Sequence, residues 1–318
     1  MPPKRKQKEK KKPRSFLKTK LLLLFLFACV LLGLYWYIRQ PAYQWNELKR
    51  ICRAYFSHGA DINLADTTQD VYELYNGRAP ASRYLPPPSS PVFGGNPTRT
   101  DGRALRLLVK TAYCVGYDEQ NRLPAWAAYR LFDVPSPTLP ERPALFLPDT
   151  RTNKPVLSDE YTGSGFDRGH LAPNFAIARC YGEEAQRETF LLSNIVPQHH
   201  GFNAGLWKTL ELREALNYVG RFQEIWVLAG PVFGQEIHRI PSGLPIPEQL
   251  FKIIVDMQNG RIRVIALLMP QDCQDDKHLE KYLCSIDEIE EKTRLNFFPD
   301  LTWEEQNALE STPASFIW

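Results

Sequence analysis

No two cysteines form a Cys-x-x-Cys pair, and no cysteine–histidine cluster has zinc-ligand spacing, which excludes a structural zinc module. Cysteine is sparse: Cys29 lies in an apolar run, with Cys52, Cys114, Cys180, Cys273 and Cys284 beyond it. Five thiols cannot all pair within one chain. Cys273 with Cys284 is a candidate disulfide, and the others read as packed thiols. Positive charge is missing where a nucleic-acid binder would advertise it. Residues 1–20 hold ten Lys/Arg and one acid, a local +9, so the total of +3 leaves −6 for residues 21–318. A polyanion site must then be a local patch. "SHGADINLAD" looks like the end of an ankyrin repeat, but no second copy follows, and one partial repeat cannot bury its own face.

One long apolar run is present. Residues 21–38 are 18 uncharged positions, about 27 Å as a helix at ~1.5 Å per residue. Tyr35, Trp36 and Tyr37 sit at its far end, where amphipathic rings favour a membrane interface. The run exceeds a signal-peptide core and no A-x-A site follows. The expectation is an uncleaved single-pass transmembrane anchor at residues 21–38. The basic tail 1–20 would stay in the cytoplasm against anionic lipid, with the remainder exported. The mitochondrial inner membrane is the alternative location.

Beyond the run, "YQWNELKRICRAYF" has apolar residues at helical spacing, so residues 39–78 read as a short helical stalk. Residues 79–99 carry three consecutive prolines and read as a stiff linker. From about residue 100 to 312 the pattern is one mixed domain. "ALRLLVKTAYCVGYD" and "AWAAYRLFDV" read as strands around a polar turn. "FQEIWVLAGPVFG" is a buried strand ending at Gly-Pro. "FKIIVDMQNGRIRVIALLMP" is a hairpin turning at Asn259-Gly260. "ETFLLSNIVPQ" is a short strand, and "NAGLWKTLELREALNYV" has helical period. Ser285 and Glu288 are spaced as a capping box, so a helix starts there. The fold class is α+β with a largely antiparallel sheet.

Chemistry concentrates in two stretches. "SGFDRGHLAPN" presents His170, whose ordinary pKa of about 6.5 lets it take a proton at neutral pH. Arg168 offers a planar fork suited to phosphate. Gly169 allows a sharp turn, so both side chains can reach one site, and Asp167 can fix the loop or orient a neighbour. Downstream, Asn203, Trp207 and Glu211 are spaced i, i+4, i+8 and share one helix face. An amide and a carboxylate oxygen are hard ligands suited to a hydrated Mg²⁺. The competing reading is an amphipathic helix with Trp207 in the core, Glu211 solvated and Asn203 as a cap.

"DRGHLAPN", then "LSNIVPQ", then N-x-x-x-W-x-x-L-E, in that order and spacing, resembles the non-specific DNA/RNA endonuclease family, the endonuclease G-like ββα-metal nucleases. The likeness runs from about residue 100 to 302. It implies a ββα-metal fold with His170 as general base, Asn203 as direct ligand of Mg²⁺ or Mn²⁺, and Glu211 reaching the ion through water. It also implies that Asn194 helps arrange the site, that Arg168 contacts the phosphate region, and that an upstream arginine stabilises the transition state. Arg142 is the candidate for that arginine and Arg151 its rival. Many members read Asn-Gln where this chain reads Asn203-Ala204, which removes an amide but no residue with an assigned role.

His199 and His200 have no carboxylate or cysteine at ligand spacing and read as solvated loop residues; His238 and His278 read as structural. The function implied is a membrane-anchored, Mg²⁺-dependent endonuclease that cuts DNA and RNA to 5′-phosphate ends. The alternative is a nuclease-like binding or scaffold module without turnover, against which stands the joint presence of His170, Asn203 and Glu211.

Overall fold

The computed structural model describes residues 14–39, 41–77, 79–273 and 278–318, with the side chains of 14–19, 37 and 38 left out. Most of the basic tail thus lies outside the described residues. The chain divides into Met1–Lys49 and Arg50–Trp318.

The first unit contains α1, Arg14–Arg39, and the start of α2, Ala42–Ser57. Side chains 21–36 of α1 are exposed. Among the described residues, no helix is long and apolar enough to cross a membrane, so the transmembrane anchor expected at 21–38 finds no support.

The second unit begins within α2 and includes α3, Leu64–Asn76, which starts at a reciprocal capping box between Asn63 and Asp66. Asp70 of α3 grips the buried guanidinium of Arg221 at 3.0 and 2.7 Å. Of the residues expected in a separate stalk, those of α3 therefore pack on the rest of the second unit. The proline-rich segment is laid down too: Ser82 donates to Gly260 O at 2.7 Å, and Ala81 bridges to Arg261.

Eleven strands are formed among the described residues. They are β1 (Thr98–Arg99), β2 (Arg106–Val109), β3 (Tyr113–Asp118), β4 (Leu123–Phe132), β5 (Asp167–His170), β6 (Ile195–Gln198), β7 (Glu224–Val232), β8 (Gln249–Gln258), β9 (Arg261–Pro270), β10 (Leu283–Cys284) and β11 (Leu295–Asn296). Seven form one antiparallel sheet in the order β10-β9-β8-β7-β4-β3-β2; β5 pairs with β6, and β1 with β11. The β8–β9 hairpin turns at Asn259 and Gly260, with φ of 52° and 70°. Two adjacent positive φ values are what a two-residue I′ turn demands. The strand expected to end at Gly-Pro runs on: Pro231 faces Leu250 within β7.

Both sheet faces are covered. Alternation along β8 sends Leu250, Lys252 and Ile254 to one side and Phe251, Ile253 and Val255 to the other. The first side packs beneath Phe202, Trp207, Leu210, Tyr218 and Phe222. The second packs against Phe93, Phe297, Phe298 and the helix Ile286–Thr293. That helix is capped by Ser285, whose hydroxyl accepts from Glu288 N at 3.1 Å. No disulfide joins Cys273 to Cys284, so that candidate pair is not formed.

Candidate active site

The β5–β6 pair carries the Asp-Arg-Gly-His stretch, with His170 facing Ile195 and Asp167 facing Gln198. The structure gives Gly169 a different reason from the turn expected of it. It lies in regular strand, and a Cβ there would come within 2.1 Å of the Gln198 side chain. Gln198 is fully buried, so it has little room to yield. Any larger residue at 169 would push β6 and the loop after it away from His170.

The backbone around His170 is clamped from both sides. Asn194 is fully buried; its oxygen accepts from Ala172 N at 2.9 Å, and its amide donates to Ala172 O and Thr189 O, each at 3.0 Å. With every polar atom of its side chain engaged, Asn194 shapes the chain after His170. From the other side, Trp207 Nε1 donates to His170 O at 3.2 Å.

The imidazole itself lies against Phe190 and Phe146, with ring centroids 5.0 and 5.4 Å away. Its Nε2 is buried and without a partner. Burial pushes the ring down to about 3, and Arg142 adds to the shift. The ring is therefore neutral at neutral pH and carries a free lone pair. Arg142 is exposed and stacks over Phe190 at 5.3 Å. Its rival Arg151 is engaged elsewhere, with Asp149 at 3.0 Å and Val109 O at 3.0 Å. Arg168 donates to Ser158 O and lies over Tyr161 and Phe146.

Asn203, Trp207 and Glu211 lie on the helical segment 200–222, but it is not the regular helix their spacing suggests. It widens to π turns over Asn203–Trp207 and Arg213–Tyr218, with Gly205 outside helical geometry at φ −100°, ψ −107°. π-bulges of this kind frequently mark functional sites. Asn203 donates its amide nitrogen to Asp167 Oδ2 at 2.9 Å. A carboxylate can only accept, so the bond fixes which way the amide faces and leaves its oxygen for a ligand. His200 also reaches Asp167 Oδ2, at 2.9 Å, and is otherwise exposed. His199 is exposed, with its ring against Phe166.

Glu211 has one carboxylate oxygen, Oε1, buried without a partner. Burial pushes its carboxyl up to about 7, against the pull of Lys252 and with the push of Glu214. The layer below was not read from the sequence. Lys252 and Glu214 are both fully buried and paired at 2.7 Å. Tyr129 donates to Glu214 at 2.8 Å, and the Lys252 ammonium sits 4.4 Å from the Trp207 ring centre. A lysine inside the apolar run of β8 was the available signal.

A family model described as DNA/RNA non-specific endonuclease matches residues 95–302. The mitochondrial nuclease EXOG of Xenopus laevis is 29% identical over 278 residues, covering 82% of this chain and 76% of the relative. A nuclease of Nostoc sp. is 29% identical over 263 residues, covering 75% of this chain and 93% of the relative. A crystal structure titled as the EndoG/EndoGI complex superposes with a TM-score of 0.56 at 22% identity, covering 63% of this chain and 88% of that one. At that identity the likeness speaks for the fold.

Proposed function

The chain belongs to the DNA/RNA non-specific endonuclease family and is with it a nuclease, a hydrolase; on that premise we propose that it cleaves phosphodiester bonds of DNA and RNA with little sequence preference, using His170 as general base and a divalent cation, Mg²⁺ or Mn²⁺, held directly by Asn203 and through water by Glu211. The observation that carries this reading is a convergence. Trp207 joins the metal-side helix to the backbone of His170, while Asp167, three residues before that histidine, holds Asn203.

The donor set fits the cation. The Asn203 oxygen is left free by the bond of its nitrogen, and Glu211 Oε1 is buried with nothing to satisfy it. Both are hard oxygen donors. When bound, the cation would neutralise charge on the phosphate and stabilise the leaving oxygen. The remaining roles belong to the chain. His170, kept neutral by its aromatic walls, accepts a proton from the attacking water at an imidazole nitrogen. Arg142 presents its donors to the phosphate oxygens as negative charge develops there. Arg168 fixes the Ser158 loop beside the histidine, and Asn194 holds the backbone that presents it. Departure of the 3′ oxygen leaves 5′-phosphate ends. Nothing in this set reads a base edge, which accounts for low sequence preference. The mitochondrial EXOG relative supports placing the chain in mitochondria, the alternative to export.

The test is conversion of supercoiled plasmid, and degradation of a labelled RNA, by the full chain with Mg²⁺ or with excess chelator. Cleavage that needs the cation and disappears in Asn203→Ala supports the reading. Equal cleavage in chelator, or none by folded wild-type protein, would refute it.

A further inference from the structure

On the sheet face away from His170, the helices Ile286–Thr293 and Trp303–Glu310 bring three carboxylates together. Asp287 and Glu290 stand three residues apart, on one side of the first helix. Glu310 is the last residue of the second. One oxygen from each lies within 4.8 Å of the others. Asp287 is exposed, Glu290 half-buried, and Glu310 only 6% exposed.

Glu310 is the part that ordinary packing does not explain. Its Oε1 is buried with no hydrogen-bond partner, and among the described residues none of the three carboxylates forms an ion pair. A buried carboxylate without a partner is costly, and such groups are normally paired or coordinate metal. Its position makes matters worse, because the C-terminal end of a helix carries partial negative charge. Burial pushes the Glu310 carboxyl up to about 8, with Glu290 and Asp287 adding to the shift. Three like charges and a helix C-terminus converge where only a cation or a proton could reconcile them.

We propose that Asp287, Glu290 and Glu310 form a second divalent-cation site, structural rather than catalytic, which takes Ca²⁺ in preference to Mg²⁺ and clasps the last helix to the helix Ile286–Thr293. The three oxygens lie within 4.8 Å of one another, near enough for one ion to touch all three, and three carboxylates of unequal burial suit Ca²⁺ better than Mg²⁺, which demands a near-ideal octahedron and is usually held by one or two carboxylates. Calcium also tolerates irregular geometry with water completing its shell, which suits a site open on the Asp287 side. Glu290 contributes one oxygen only, because its Oε1 accepts from Phe297 N at 2.6 Å. The last helix also anchors the proline-rich segment, through Glu305 to Ser82 and Arg83 N, so the clasp would hold that segment as well.

The test separates this site from the catalytic one by using the full chain with Asn203→Ala. Thermal unfolding is followed in chelator, in Ca²⁺ and in Mg²⁺, and bound calcium is counted by equilibrium dialysis. With calcium at about a hundred times its Kd, Tm should rise by roughly 5 °C, with one ion bound per chain. Adding Glu310→Gln should raise Tm in chelator, because a repelling charge is gone, and abolish both the calcium response and the bound ion. The exposed substitution Asp287→Asn should weaken calcium binding without threatening the fold. A chain that ignores calcium, a response that survives Glu310→Gln, or a response to Mg²⁺ alone would overturn the assignment. In the wild-type background, Glu310→Gln should leave Mg²⁺-dependent cleavage unchanged.

Discussion

The two faces of the seven-stranded sheet share the same strands and are filled by different rules. On one face Phe93 packs against Trp226 at 5.5 Å and Phe298 at 5.8 Å, and Phe251 against Phe297 at 5.5 Å. That face is apolar and regular, apart from the carboxylates at its rim. The face beneath His170 holds the Lys252–Glu214 pair at zero exposure, unpartnered polar atoms on His170 and Glu211, and a helical segment with two π turns. One face maximises contact. The other keeps charge where contact alone would favour leucine, and its cost is carried by the rest of the fold. Local violations of packing rules gather where chemistry is placed.

That contrast can be broken in graded steps. The largest effect is expected for His170→Ala, which should lower cleavage by up to about 10⁴-fold. Its Tm should stay close to that of wild type, since the lost Nε2 had no partner to strand. Near-normal turnover by the purified variant would remove histidine from the mechanism. Next comes Lys252→Met, which leaves Glu214 buried and unpaired and should cost about 3–5 kcal/mol in denaturant unfolding. Adding Glu214→Leu should restore most of that stability without restoring full cleavage, because Trp207 and Glu211 lose the charges that flank them. If the double variant cuts normally, the pair serves stability alone.

A cut on the opposite face sharpens the difference. Phe93→Ala should cost about 3–4 kcal/mol through lost aromatic contact and the cavity left behind. Cleavage per folded molecule should not change; a fall in kcat would show that the faces communicate. The smallest effect is in pH dependence, measured in chelator between pH 7.5 and 5. The folded-state pKa of His170 is depressed, so its contribution is complete above 6.5 and is lost as pH falls toward 3. His170→Phe should therefore lose about 2 kcal/mol less than wild type on acidification. Glu211 has the opposite sign: its raised pKa gives stability that is complete below 4.5 and lost as pH rises through about 7. Glu211→Gln should accordingly lose about 2 kcal/mol more than wild type. Identical pH slopes for all three proteins would mean that neither group is held as its burial implies.

The legible parts of this molecule were those set by local chemistry. Asn259-Gly260 announced its hairpin because few other pairs accept two positive φ values. Ser285 announced a helix start by its spacing to Glu288. His170, Asn203 and Glu211 were visible as residue types at family spacing, whereas the bonds of Trp207 to the His170 backbone and of Asn203 to Asp167 were not. Asn194 was legible as a residue type in the Leu-Ser-Asn stretch, but its three hydrogen bonds to Ala172 and Thr189 were not. Less legible were features whose cause lies far away in the chain. Gly169 is needed because Gln198, 29 positions later, fills the space a Cβ would take. Arg142 and Arg151 could not be separated by spacing, but Asp149 and Val109 engage one and leave the other beside His170.

Sequence alone determined the alternation of the strands, the turn chemistry, the acidic balance of the body and the order of the Asp-Arg-Gly-His, Asn194 and Asn203–Glu211 elements. These follow from backbone sterics, side-chain period and residue type, all of which act within a few positions. Tertiary structure alone decided the rest. It docked α3 on Arg221, interrupted the helix at Gly205, placed Lys252 beneath Trp207, buried His170 Nε2 and Glu211 Oε1, and gathered Asp287, Glu290 and Glu310. Each of those outcomes depends on which distant groups share a low-dielectric neighbourhood, and burial and charge pairing exist only once the chain has closed on itself.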